Sequence, residues 1–244
     1  MFYSHRIAEK IRHHECDAAG NMKLNNLLDR LQNAAAEHAA ILNVGMDEMA
    51  EMQLIWVLSR LQLHLFEPLP LGEILEVTTF PAGIQRIFAH RCYDLRIDNE
   101  RIGCAGSFWL PVNAAANRPV NVKKVLPPEI KDLPDVEKFF PDMDKLDTAP
   151  GEICRSYKVG AGDIDLNRHL NNAVYARWIS DSLGEKLGTF DFAVKELQIN
   201  FLSAGQFGEE IFLRADAGKN GSFSVSGEKA DGTAMFQANG ELFA

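Results

Sequence analysis

Apolar residues fall at helical spacing twice along the chain. Leu24, Leu27, Leu28, Leu31, Ala35 and Leu42, with His38 in the same series, line one face of a helix that ends near Gly45. Leu170, Val174, Trp178 and Leu183 repeat the pattern, ending near Gly184 or Gly188. After each helix the period shortens to two. Ile55, Val57, Leu61, Leu63 and Leu65 alternate until Glu67-Pro68, and further strands are predicted over 73–80, 87–97 and 102–111. The second half offers 194–202, 209–216, 222–229 and 233–243. Lys219-Asn220-Gly221-Ser222 and Ala230-Asp231-Gly232-Thr233 read as hairpin turns, because Asn-Gly and Asp-Gly accept the positive φ of a tight turn. One helix against an antiparallel sheet, made twice, is an α+β architecture.

The chain also echoes itself. Residues 17–26 and 163–172 share Asp17/Asp163, Asn21/Asn167, Leu24/Leu170, Asn25/Asn171 and Asn26/Asn172 at an offset of 146. Leu61-Gln62 and Gly72-Glu73 recur as Leu197-Gln198 and Gly208-Glu209, in the same order. Duplication accounts for both. Seven of the ten prolines lie between Pro111 and Pro150, which marks a break in regular structure. The organisation expected is a first domain over 1–112, a connector over 113–147 crossing the surface of one half, and a second domain over 148–244. A short helix is expected around Pro134 to Phe140.

Composition narrows the function. The 244 residues are 46% hydrophobic and 24% charged, with net charge −9, which suits a folded globular chain. An acidic chain without a basic cluster is a poor partner for nucleic acid. No run approaches the roughly 18 apolar residues of a membrane span. The first residues, Met1-Phe-Tyr-Ser-His-Arg, lack the apolar stretch of a secretory signal, and the expected location is the cytoplasm. Cys16, Cys92, Cys104 and Cys154 are scattered, so reduced thiols are expected and metal binding through His13, His14 and Cys16 is disfavoured. No metal or cofactor is called for.

The segment with chemical character is Asp163-Ile-Asp165-Leu-Asn167-Arg-His169-Leu-Asn171-Asn172. His169 stands just before a predicted helix N-terminus, where free backbone N–H groups favour developing negative charge. Histidine titrates near neutrality and can take a proton from water. Asp165 can orient that water or accept its proton, and Asn167 can hold water or substrate. In the 146-residue register Ala19 stands opposite Asp165 and Lys23 opposite His169. That register makes the acid and imidazole unique to the second copy, and leaves Asn25/Asn26 and Asn171/Asn172 as helix caps.

This segment resembles the D-x-N-x-H-x-N-N motif of the acyl-acyl carrier protein thioesterases, double hotdog enzymes that end fatty acid synthesis. Asp17 through Leu31-Gln32, Ala36-Glu-His38-Ala39 and Trp56-Val57-Leu58-Ser59-Arg60 are similar to the family's first hotdog. The resemblance implies two tandem hotdog domains and hydrolysis of a fatty acyl thioester on acyl carrier protein. It implies Asp165, Asn167 and His169 as catalytic residues, with Asn171, Asn172 and Trp56 at the substrate. The family's glutamate position holds Ala204, so the full Asp-Asn-His-Glu set is absent; Glu196 or Glu209 is a candidate substitute, although Glu209 reads first as a solvated strand-end charge. Arg86, Arg91, Arg118, Lys123 and Lys124 are candidates for meeting the acidic carrier, or an ordinary solvated face. An acyl-CoA thioesterase, an enoyl thioester hydratase and a non-hydrolytic acyl-binding relative remain as other readings. Monomer and homodimer are both open.

Overall fold

A computed structural model of the chain describes residues 3–131, 133 and 136–243. The described residues form two compact units, one within 1–10, 29–63 and 73–143, the other within 11–28, 64–72 and 144–244.

In chain order the first elements are β1 (His5–Lys10), α1 (Leu24–Ile41), α2 (Met46–Glu51), β2 (Leu54–Leu65), β3 (Ile74–Gln85), β4 (Phe88–Ile97), β5 (Glu100–Asn113) and the two-residue β6 (Arg118–Pro119). The first unit's strands lie in the order β1-β3-β4-β5-β2, with β6 beside β5. The β1/β3, β3/β4 and β4/β5 pairs are antiparallel. Leu31, Ala34 and His38 of α1 are completely buried, as their spacing requires. The expected helix stops at Ile41, and α2 is an unforeseen single-turn addition begun at the extended Gly45.

The remaining elements are β7 (Ile153–Lys158), α3 (Asn172–Leu187), β8 (Val194–Phe201), β9 (Glu210–Ala217), β10 (Ser222–Lys229) and β11 (Ala234–Leu242). The second unit's strands run β8-β11-β10-β9-β7, all antiparallel. Helix α3 packs on β7, β9 and β10, burying Trp178, Ile179 and Leu183 completely. It ends at Gly188, whose φ of 68° is the left-handed conformation that glycine adopts without strain. Both predicted hairpins form, with Gly221 and Gly232 at φ 83°.

The proline-rich segment packs into the first unit. Val122, Leu126 and Ile130 are buried and pack with Leu42, Trp56 and Ile84. Phe139 is buried against Ala82, Cys92 and Cys104. Residues 122–124 and 128–130 form short 3-10 turns. Apolar residues at four-residue spacing turn the segment into core despite its prolines. Of the helix expected around Pro134 to Phe140, Pro134 and Asp135 lie outside the described residues, and 136–140 are not helical. Among the described residues no cysteine forms a disulfide; Cys16, Cys92 and Cys104 are buried and Cys154 is half-buried. Among the described residues, no helix is long and apolar enough to cross a membrane.

Candidate active site

The backbone of residues 163–172 is a tight reversal that ends in α3. Asp165 N–H donates to the His169 carbonyl at 2.8 Å, and Arg168 N–H to the Asp165 carbonyl at 3.0 Å. The Asp165 side chain closes the loop. Its Oδ1 accepts from the backbone N–H of Asn167 at 2.8 Å and of His169 at 3.3 Å. Its Oδ2 faces Asn167 Nδ2 at 3.4 Å. Arg168 takes φ 60°, a left-handed conformation costly for a residue with a Cβ. Strain of this kind is stored where surrounding bonds over-determine the backbone.

The first copy makes the same loop at an offset of 148, not 146. Asp17 Oδ1 accepts from Ala19 N–H at 3.0 Å and Asn21 N–H at 2.9 Å. Asp17 N–H donates to the Asn21 carbonyl and Gly20 N–H to the Asp17 carbonyl. Gly20, with φ 83°, stands where Arg168 stands. The isolated bridges Cys16/Met22 and Ile164/Leu170 agree with this register, as do the helix starts at Leu24 and Asn172. Asp17 is therefore the counterpart of Asp165, Ala19 of Asn167, Asn21 of His169 and Lys23 of Asn171. The sequence register failed because two Asn-Asn pairs outscored the loop's single aspartate. Its inference that Asp165 lacks a structural twin is overturned. What the second copy alone carries is the imidazole, and Asn167 beside it.

The caps are corrected likewise. Asn171 is the N-cap of α3, its Oδ1 accepting from Ala173 N–H at 3.0 Å, and Asn172 is the first helical residue. Asn25 and Asn26 lie inside the first turn of α1, where Asn25 Nδ2 donates to Asn26 Oδ1 at 3.1 Å.

His169 is half-buried and its imidazole makes no hydrogen bond to a described residue, leaving both ring nitrogens for a ligand. Asp165 has the opposite character. Its carboxylate is committed to the loop backbone, so it positions the residues on either side of Arg168. Asn167 is exposed.

Behind the loop, Leu170 N–H donates to the Gly205 carbonyl at 2.9 Å. A Cβ on Gly205 would stand 3.0 Å from the Leu170 Cβ, so glycine permits the approach. The position of the family's glutamate holds no carboxylate: Lys229 Nζ donates to the Ala204 carbonyl at 2.9 Å and to Glu209 Oε1 at 3.0 Å. Glu209 Oε2 accepts from Gln206 N–H at 2.8 Å. Glu209 is thus a partly buried, paired acid rather than a solvated one. Glu196 faces His64 at 3.5 Å. Sequence reasoning missed Tyr175, which is buried and donates to the Ser203 carbonyl at 3.3 Å. Burial holds its hydroxyl protonated well above the usual tyrosine range, and the charges of Glu209 and Asp165 add to that. Its helical position beside Val174 offered no sign of this.

Trp56 belongs to the first unit. Its Nε1 donates to the Val44 carbonyl at 2.9 Å and its ring packs against Val122, Leu126 and Ile130. Arg91, a candidate for a carrier-facing surface, turns inward to Thr79 at 3.1 Å and His38 at 3.0 Å. A cavity of about 690 Å³ lies in the second unit, and Asp165, Asn167 and His169 do not line it.

Comparison with known proteins decides the family. Residues 3–130 match the acyl-ACP thioesterase N-terminal domain, and residues 149–239 match the acyl-ACP thioesterase C-terminal domain. The chain belongs to the acyl-ACP thioesterase family. A chloroplastic palmitoyl-acyl carrier protein thioesterase of Gossypium hirsutum is 28% identical over 194 residues, covering 70% of this chain and 45% of that protein. A chloroplastic oleoyl-acyl carrier protein thioesterase of Arabidopsis thaliana is 23% identical over 209 residues, covering 76% and 55%. The chain spans about half the length of these curated relatives. An acyl-ACP thioesterase structure from Bacteroides thetaiotaomicron superposes with TM-score 0.84 at 22% identity, covering 99% of this chain and 98% of that one. The 12:0-ACP thioesterase from Umbellularia californica gives 0.80 at 16%, covering 100% and 98%. The fold expected from the resemblance, α+β with two hotdog domains in tandem, is the fold of this family member.

Proposed function

We propose that this protein hydrolyses fatty acyl thioesters carried on acyl carrier protein, releasing the free fatty acid. The observation that supports this most is the imidazole of His169, which bonds to no described residue and is held on a strained loop at the start of α3 in a chain of this family. His169 takes a proton from water, and the water oxygen attacks the thioester carbonyl carbon. The oxyanion that forms lies at the N-terminal end of α3, where the helix dipole favours negative charge. Collapse breaks the C–S bond, and the departing thiolate recovers the proton from the imidazolium. Asn167 orients the water or the carbonyl; Asp165 holds the loop. Asn171 and Asn172 set the helix end against the substrate. The two hotdogs occupy 1–112 and 148–244, joined by 113–147, and the enzyme works in the cytoplasm.

The test is release of free acid from matched hexadecanoyl-acyl carrier protein and hexadecanoyl-CoA by the full chain. The proposal expects the carrier substrate to be cleaved at the higher kcat/KM. Faster cleavage of the CoA ester overturns the carrier assignment. Cleavage of neither favours a non-hydrolytic acyl-binding protein, a reading that Ala204 and the Lys229–Glu209 pair support.

A further inference from the structure

The cavity of about 690 Å³ is lined in part by the first copy of the loop, the counterpart of the candidate active site. Asp17, Asn21, Lys23, Leu24 and Asn25 line it, and by the 148-residue register they match Asp165, His169, Asn171, Asn172 and Ala173. The lining also includes the apolar Met22, Leu27, Leu65, Leu69, Phe192 and Val194. The volume falls within the roughly 300–1,000 Å³ of small-molecule sites.

The polar groups are selective. Among the described lining residues the acids are engaged: Asp17 with its loop backbone, Asp181 with the Tyr157 hydroxyl at 2.5 Å, Glu185 with Arg155 at 3.5 Å. Arg177 is paired with Asp163 at 2.7 Å. Lys23 pairs with no described carboxylate, and its ammonium donates to the His14 carbonyl at 3.3 Å. It also stands where Asn171 caps α3, and a lysine side chain has no acceptor to offer a helix N-terminus. The cavity lining thus combines a cation that pairs with no described carboxylate, the first residues of α1, and apolar side chains. Asn21 in place of His169 removes the general base.

We propose that this cavity is a second, non-hydrolytic binding site for a long-chain carboxylate, with its head at Lys23 and its tail along Leu27, Leu69 and Val194. Under the proposed function that ligand is the reaction's own product, a free fatty acid, and this identification rests on that reading. The binding chemistry does not.

The test is calorimetric titration of the full chain with sodium dodecanoate below its micelle concentration, read without turnover. Lys23→Glu is expected to weaken one binding event at least tenfold. Phe190→Ala, which removes an exposed aromatic side chain from the cavity lining, is expected to weaken the same event about threefold. Both sites are exposed, so melting curves should match the parent. Dodecylamine should not compete. Unchanged dodecanoate binding in both variants, or equal binding of dodecylamine, overturns the proposal. Intact binding with no thioester hydrolysis would refute the proposed function alone, and hydrolysis without this binding event would refute the second site alone.

Discussion

Replacing Asp165 separates a positioning role from a chemical one. Alanine removes the acceptor of two backbone N–H groups, at 2.8 and 3.3 Å, on a loop that also carries the left-handed Arg168. A charge-assisted hydrogen bond is worth about 1.5–3 kcal/mol, and partial exposure and the longer second bond reduce the sum to about 2 kcal/mol. Asp17→Ala breaks the twin pair of bonds at 3.0 and 2.9 Å and should cost about the same. For a chain of this size that is a fall in Tm of about 4–8 °C in either variant. Turnover distinguishes them, because only the Asp165 loop presents an imidazole. Asp165→Ala should lower kcat at least 100-fold, whereas Asp17→Ala should leave it within about threefold. Asp165→Asn keeps an oxygen for both N–H groups and should retain at least a tenth of the parent kcat. The assays are thermal unfolding and acid release from hexadecanoyl-acyl carrier protein. If Asp165→Asn is as inactive as Asp165→Ala while its melting is unchanged, the carboxylate takes part chemically and the positioning argument fails.

Two further predictions concern stability. Burial depresses His90 from 6.5 to about 4, against the opposing bond to the Phe139 carbonyl at 2.9 Å. The unfolded chain takes up this proton first as pH falls. The contribution is therefore complete above about pH 6.5 and is lost towards pH 4, amounting to about 3 kcal/mol. Urea midpoints at pH 7 and 4.5 should converge in His90→Gln relative to the parent; parallel shifts would contradict this. Ser182 is buried in α3 and its hydroxyl has no partner among the described residues. Ser182→Ala should raise stability by about 1 kcal/mol, since it removes a desolvated hydroxyl and improves helix propensity. Thermal unfolding checks it, and a loss of stability would show a hidden partner.

Much of the fold was legible because periodicity and turn chemistry are local. The helical faces from Leu24 and Leu170, and the turns at Gly221 and Gly232, were predicted from spacing and residue type, with element boundaries displaced by at most five residues. The duplication was also visible, but its register was not. Counting identities favoured Asn25-Asn26 over Asn171-Asn172, while the loops are matched by backbone bonds to Asp17 and Asp165, which identity counting does not weigh. The pairing of Lys229, at the end of β10, with Glu209, just before β9, is distant in sequence, and nothing local announces it. Arg91 shows the same limit in reverse: its charge suggested a surface, and Thr79 and His38 hold it inside.

The central claim is that the His169 imidazole takes the proton from the attacking water. Single-turnover acid release from hexadecanoyl-acyl carrier protein by His169→Ala, in saturating enzyme, tests it most directly. The account predicts a chemical step slowed at least 100-fold, with carrier binding within about threefold of the parent. A chemical step unchanged by the substitution would contradict it.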